Sequence, residues 1–162
     1  MKFELVQRWE AVPTDVFEVY LDPTFYAELD GVGVIGDPEV VSHEVVAARV
    51  EMQVRFRFTG DVPSAAAKIV RPDRLTWIED TVFERATLRS RSTIIPDHYP
   101  DRLQCTATSR FEEVDGGCLR TITGDLKVRV LLVGGQVEKA IVSGMRDHFV
   151  DEQRVVAARL GR

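Results

Sequence analysis

The chain has 162 residues, a length that predicts one domain over 1–162, and 44% of its residues are apolar while 29% are charged. Its formal net charge of −5, with both signs interspersed, argues against nucleic-acid binding and against attraction to an anionic membrane. The longest apolar run, VRVLLV, is too short to cross a bilayer, and the first residues do not show the basic and apolar segments of a leader peptide, so export is not expected. We therefore expect a cytoplasmic protein, monomeric or homodimeric, without integral membrane association.

A strand and two short helices are predicted first. In KFELVQRWE, residues 2–10, the alternation of Phe3, Leu5, Gln7 and Trp9 with charged neighbours predicts a strand. A proline is well placed at the first position of a helix over PTDVFEVYLD, residues 13–22. The Asp-Pro pair at 22–23 then ends this helix and begins another, PTFYAEL.

From about residue 38 to 130 the pattern has a period of two, which is typical of antiparallel strands. The clearest stretch, RVEMQVRFRF at 49–58, places apolar residues on one face and charged or polar residues on the other. Further strands are predicted near 39–47, 75–84, 86–95, 103–113 and 118–130, separated by Gly, Pro and Asp turns. The segment PSAAAKIV, residues 63–70, is predicted as a short helix or a lid.

After residue 133 the period returns to 3.6 and predicts one long helix to about residue 160. The order of elements is a strand, two short helices, about six antiparallel strands and a long helix. That order predicts an α+β fold in which the long helix covers one face of the sheet.

This order resembles the START/Bet v 1-like (SRPBCC) superfamily, as does the V-P-x-x-V-F motif formed by Val12, Pro13, Val16 and Phe17. The L-T-W-I-E strand at 75–79 and the closing helix are similar to an actinobacterial branch known only as a domain of unknown function. The resemblance covers essentially the whole chain and implies a helix-grip fold, a curved sheet wrapped around the terminal helix. It also implies a cavity for a lipid, sterol, polyketide or other hydrophobic molecule, but it fixes no chemistry.

Small residues on the facing elements independently predict space between the sheet and the last helix. Gly144 lies in the helix interior, and each facing strand carries small residues at the middle of its inner face. A close-packed core would fill that region with larger side chains. The alternative is that other side chains reach in and fill the space. The predicted cavity lining is Met52, Val54, Phe56, Trp77, Leu88, Ser90, Ser92, Cys105, Ala107, Ser109, Ile122, Gly124, Val137, Ile141, Gly144, Met145 and His148.

Three titratable residues are the candidates for chemistry. His148 and Glu152 are spaced i, i+4, so their side chains can meet as an acid–base pair, as a ligand contact or as a structural pair. Glu79 shares its face with Leu75 and Trp77 and is the other acid predicted to point inward. The main expectation is binding of a hydrophobic small molecule without catalysis or cofactor. The alternative is a polyketide cyclase/aromatase- or hydratase-like enzyme that uses these three residues.

Other sequence features give weaker evidence about function. GVGVIG at 31–36 matches G-x-G-x-x-G formally, but no strand precedes it and no helix follows, so it predicts a loop that could border the cavity entrance. His43 and His98 have no partners at zinc spacing, and no metal is expected. Cys105 and Cys118 are predicted to lie roughly 27–30 Å apart, too far for a disulfide, and are interpreted as free thiols of a reducing compartment.

A protein-interaction module would need an apolar outer face, which RVEMQVRFRF argues against.

Overall fold

The N-terminal strand and the strands of the period-two region form a seven-stranded antiparallel sheet in the computed structural model, which describes residues 1–161. The strands are β1 (Lys2–Trp9), β2 (Ile35–Val46), β3 (Arg49–Phe58), β4 (Thr76–Glu84), β5 (Arg89–Pro96), β6 (Leu103–Val114) and β7 (Gly117–Val128). Their order in the sheet is β1-β7-β6-β5-β4-β3-β2, so β1 and β2 are the two edges.

Helices occupy the predicted positions, and one further short helix, Pro72–Arg74, was not predicted. They are α1 (Pro13–Leu21), α2 (Ser64–Ala67) and α3 (Gly134–Arg159), with 3-10 helices at Pro23–Leu29 and Pro72–Arg74. Asp22 begins the Pro23–Leu29 helix, because its side chain accepts a hydrogen bond from the backbone N–H of Thr24. Within residues 1–161 no helix is both long enough and apolar enough to cross a membrane.

The predicted α+β helix-grip fold is confirmed, with corrections at the strand ends. β2 begins at Ile35 rather than at 39, and its pairing with β3 shifts register between Gly36 and Glu39, a bulge that accommodates Pro38. Residues 86–88, predicted as part of a strand, form a turn in which Leu88 has φ 50°. β7 ends at Val128, so residues 129–130 lie outside it.

Helix α3 packs against β1 and β7 and against α1 and the Pro23–Leu29 helix. Side chains of β1 bind its backbone: Gln7 Nε2 donates to the carbonyl of Phe149 at 2.8 Å, and Trp9 Nε1 donates to that of Gln153 at 2.9 Å. The buried side of α3 extends to Val142, beyond the residues predicted to face the sheet. The helix therefore lies over the β1–β7 side of the sheet rather than over β3–β5.

The apolar core divides into two clusters. The first, called the aromatic cluster, surrounds Phe17, whose ring meets Phe83 and Phe111 edge to face at centroid distances of 5.9 and 5.1 Å. The second, called the aliphatic cluster, comprises Phe3, Leu5, Cys105, Ile122, Leu126, Val128 and Val142. What separates the two clusters is a set of buried polar side chains.

Candidate functional site

A layer of polar side chains crosses the interior between the two apolar clusters. On β1, Gln7 follows Leu5 of the aliphatic cluster and precedes Trp9 of the aromatic cluster. The inward faces of β6, β7 and α3 show the same arrangement. On each of them a polar residue lies between residues of the aliphatic cluster and residues of the aromatic cluster. The polar layer consists of Gln7, Tyr20, Ser109, Arg120, His148 and Glu152, all of them buried.

Glu152 is the centre of the polar layer. Its Oε1 accepts hydrogen bonds from Tyr20 Oη at 2.7 Å, Arg120 Nη1 at 3.0 Å and Gln7 Nε2 at 3.3 Å. Its Oε2 lies 3.5 Å from His148 Nε2. Both carboxylate oxygens are thus engaged by side chains of the protein itself.

The guanidinium of Arg120 is also hydrogen-bonded within the polar layer. Besides its bond to Glu152, Nη1 donates to Gln7 Oε1 at 3.0 Å, while Nε and Nη2 donate to Ser109 Oγ at 3.3 and 3.2 Å. The guanidinium also lies 4.3 Å from the centroid of the Tyr20 ring, a cation–π contact. A buried charge is tolerated when it is paired and hydrogen-bonded, and Arg120 meets both conditions.

The protonation of His148 follows from its two neighbours. Its Nδ1 lies 3.1 Å from the carbonyl oxygen of Val32, and its Nε2 faces the Glu152 carboxylate. Both neighbours are acceptors, so the imidazole is best matched when both nitrogens carry hydrogen. Burial lowers the pKa of His148, but the hydrogen bond and charge of Glu152 outweigh burial and raise it.

Glu152 is held in its ionised form. Burial by itself raises the pKa of this carboxyl, but the hydrogen bond from His148 and the charge of Arg120 lower it to about 2. A carboxylate that is fully hydrogen-bonded and difficult to protonate is a poor general acid or base near neutral pH. The polar layer is therefore closed on itself and stabilises the packing of α3.

The loop at residues 31–34 covers α3 at this point. Gly33 has φ +61°, and a Cβ atom there would lie 3.0 Å from both Cα and Nδ1 of His148. Val34 lies above Gly144, where a Cβ atom would meet only Val34 Cγ2, at 3.9 Å. The glycine-rich loop thus packs directly on the helix and leaves room at Gly144.

Beside the polar layer, the inner face of β4–β6 is incompletely covered. Cross-strand pairing places Trp77 opposite buried Phe56, and Glu79 opposite buried Val54, so both residues face inward. Although they face the interior, these residues and their neighbours on the next strands keep partial solvent exposure. We call this region the inner cleft; its residues are Trp77, Glu79, Ser92, Ile94 and Ala107.

Glu79 is the ionisable group of the inner cleft. Its carboxylate accepts a hydrogen bond from Ser92, whose hydroxyl also lies 2.8 Å from that of Thr81. Burial raises the pKa of Glu79, and the charge of Glu152 raises it further; the charge of Arg120 opposes both without outweighing them. Glu79 therefore stands near the polar layer without being part of its hydrogen-bond network.

The small residues predicted to leave space between the sheet and α3 have different surroundings. The Phe3 ring occupies the space over Gly124, where an added Cβ atom would clash with that ring and lie 2.6 Å from the carbonyl oxygen of Thr106. Gly144 has no such neighbour. Gly124 thus makes room for Phe3, while Gly144 leaves space beneath the loop at 31–34.

The predicted lining residues are distributed over several parts of the interior. Met52, Val54, Phe56, Trp77 and Leu88 belong to or border the aromatic cluster, and Cys105, Ala107, Ile122, Val137, Ile141 and Met145 belong to or border the aliphatic cluster. Ser109 and His148 are part of the polar layer, and Ser90 is buried on the same face of the sheet. Ser92, Gly124 and Gly144 occupy the positions described above. Their role as a ligand lining stays a prediction.

The other candidates lie apart from this region. His43 and His98 are exposed, and no group of three or more His, Cys, Asp or Glu side chains suited to a metal occurs within residues 1–161. Cys105 and Cys118 are free, as predicted, and burial raises the pKa of their thiols to about 12 and about 11. Two surface clefts of about 260 and 450 Å³ lie at the far end of β1, beside Trp9, and contain no predicted lining residue.

Sequence reasoning did not assign a role to Gln7, Tyr20 or Arg120. Arg120 lies two residues before Ile122 and four before Gly124, so it shares the predicted inward face of β7. A charged residue in register with an inward face is the sequence feature that indicates a buried ion pair here.

Comparison with known proteins identifies the family. A family model described as "Protein of unknown function (DUF2505)" matches residues 4–160. The chain belongs to this family. No curated protein matches the chain significantly. This match confirms the predicted resemblance to a family of unknown function.

Solved structures support the same fold. TTHA0849 from Thermus thermophilus is 16% identical, with a TM-score of 0.72 over 98% of this chain and 99% of that chain. Ara h 8.0201 is 14% identical, with a TM-score of 0.61 over 98% of each chain. CC1736 from Caulobacter crescentus is 11% identical, with a TM-score of 0.63 over 100% of this chain and 99% of that one. At these identities the similarity shows the helix-grip fold alone.

Proposed function

We propose that this protein binds a hydrophobic small molecule in the inner cleft, between β4–β6 and α3. The observation that carries the proposal is that inward-facing apolar residues such as Trp77 and Ile94 stay partly exposed while α3 packs against β1 and β7. Partly exposed apolar surface inside a concave sheet, with few polar groups, is typical of small-molecule sites. The fold is generally a ligand-binding one, which supports the proposal.

We do not propose catalysis by His148 and Glu152, because the carboxylate is fully engaged by Arg120 and its neighbours. Lipid and polyketide-like molecules both remain within the proposal, since the cleft selects first for apolar surface. We also propose a cytoplasmic location, because two buried free thiols suit a reducing compartment.

The test uses organic extraction of the purified protein followed by mass spectrometry, together with binding of the neutral fluorescent probe N-phenyl-1-naphthylamine. We expect a co-purified apolar compound or saturable probe binding by the wild-type protein. Gly144→Leu should weaken probe binding by filling the space under Val34, whereas Gly135→Leu should not. Gly135 is a matched control because it lies on the same helix, also with free space around its Cβ position.

Two outcomes would overturn the proposal. One is the absence of both extractable ligand and probe binding in the wild-type protein. The other is equal weakening by Gly144→Leu and Gly135→Leu, which would attribute the change to the helix rather than to the cleft.

A further inference from the structure

Glu79 has more hydrogen-bonding capacity than the surrounding protein uses. An ionised carboxylate offers about four acceptor sites. Among the described residues, the hydrogen-bonding side chain that lowers the pKa of Glu79 is Ser92, and Ser92 shares its hydroxyl with Thr81. Glu152, by comparison, accepts from Tyr20, Arg120 and Gln7 while also facing His148. The unused acceptor sites of Glu79 face the inner cleft.

The neighbours of Glu79 along its rung of the sheet are apolar. Val54 and Ile94 lie directly opposite it on β3 and β5, and Cys105 follows on β6. Placing a carboxyl group among such residues costs free energy unless it is hydrogen-bonded. A polar group of a bound molecule can supply the missing hydrogen bond.

Within residues 1–161, the charges of Arg120 and His148 lower the pKa of Glu79, but neither cation donates a hydrogen bond to its carboxylate. Arg120 and His148 both pair with Glu152. The remaining donors of Arg120 are directed to Gln7 and Ser109, and Nδ1 of His148 is directed to Val32. A ligand carboxylate in the inner cleft would therefore lie beside the Glu79 carboxylate, while the hydrogen bonds of both buried cations are directed elsewhere.

We propose that Glu79 receives the polar head of the ligand, and that this head is a hydrogen-bond donor, a hydroxyl or an amine, on an apolar body. This inference rests on the proposed function and narrows it to one class of molecule. It excludes fatty acids as preferred ligands, although they share the apolar chain.

The experiment measures displacement of N-phenyl-1-naphthylamine by three molecules of equal chain length: dodecanol, dodecylamine and dodecanoic acid. At pH 7 the alcohol or the amine should bind at least about tenfold more tightly than the acid, because a hydrogen bond to a charged group contributes on this scale. The alcohol and amine arms distinguish the two donor heads. Preference for the amine indicates an ionised Glu79, and preference for the alcohol indicates a hydroxyl-bearing ligand.

Glu79→Gln is the decisive variant, because it keeps the shape and removes the charge. It should lose most of this preference, chiefly through tighter binding of dodecanoic acid. Asp80→Asn is the matched control: Asp80 follows on the same strand, pairs with Gln53 and Thr93, and points to the opposite face. It should leave all three affinities unchanged. Thermal unfolding checks the fold, and Glu79→Gln should be no less stable than the wild-type protein.

The outcomes separate this inference from the proposed function. Equal binding of all three molecules, or an unchanged preference in Glu79→Gln, would overturn the role of Glu79 and leave the cleft as a binding site. Tighter binding of dodecanoic acid by the wild-type protein would do the same. Failure of every molecule and of the probe to bind would overturn both proposals together.

Discussion

Two carboxylates on the inner side of this protein are in opposite situations. Glu152 is more deeply buried, yet it is satisfied by Arg120, Tyr20, Gln7 and His148. Glu79 is partly exposed, yet it has one partner. Burial alone would give Glu152 the higher pKa, but the pKa of Glu152 is lowered and that of Glu79 is raised. Hydrogen bonds and paired charges, rather than depth, separate a structural carboxylate from one available to a ligand.

The largest effect is expected from removing a charged member of the polar layer. Arg120→Met should destabilise the protein by about 3–5 kcal/mol, because it leaves the Glu152 charge buried without its main partner. Urea unfolding monitored by circular dichroism measures this change. Arg91→Met, on the exposed face of β5, should change stability by no more than about 0.5 kcal/mol. A loss below about 1 kcal/mol for Arg120→Met would show that the polar layer is not a structural unit.

The loop over the polar layer can be tested with two glycines. Gly31 and Gly33 both have positive φ, so alanine at either should cost about 1–2 kcal/mol. Only Gly33 also contacts His148, and Gly33→Ala should cost about 1 kcal/mol more than Gly31→Ala. The difference between their unfolding free energies measures the packing of the loop on α3. Equal losses would contradict that contact.

A smaller effect, of the opposite sign, is expected at Gly144, where α3 has free space beneath Val34. Gly144→Ala should stabilise the protein by up to about 1 kcal/mol, because alanine favours the helix and a Cβ atom has space there. Gly135→Ala provides the control near the start of α3. Destabilisation by Gly144→Ala alone, measured by thermal unfolding, would mean that no space exists under Val34.

The pH dependence of stability separates the contribution of His148 from that of Glu152. The pKa of His148 is raised in the folded state, so its contribution is present below the unfolded value of 6.5 and is lost as pH rises through the folded value. Glu152 acts at the other end: its contribution is present above 4.5 and is lost as pH falls towards about 2. His148→Gln should therefore flatten the loss of stability above about pH 6.5. An unchanged alkaline slope would show that His148 is neutral.

The sequence predicted the fold because each element has its own period. Alternation along RVEMQVRFRF and the helical spacing after residue 133 are local patterns, and the structure follows both. The predicted pairing of His148 with Glu152 is also local, since the two residues are one helical turn apart. Where a bulge interrupts the alternation, at Gly36–Glu39, the predicted start of β2 was wrong.

The rest of the site depends on contacts between distant parts of the chain. Gln7, Arg120 and Glu152 come from three elements, and no local pattern indicates that they meet. The filling of Gly124 by Phe3 is of the same kind, because a small residue looks identical in sequence whether it makes room for a ligand or for a neighbouring ring. Sequence reasoning can predict which residues face inward, but not which of them share hydrogen bonds.

The contact of Gly33 with His148 has an evolutionary consequence. The backbone at 33 lies against both the Cα atom and the imidazole of His148, so a side chain at position 33 forces the loop away from α3, and a smaller residue at 148 removes only the contact with the imidazole. The two positions, more than a hundred residues apart in the chain, are therefore expected to change together among family members. Relatives that keep glycine at 33 should keep histidine or a residue of similar size at 148, and relatives that lose it should show a compensating change on the helix.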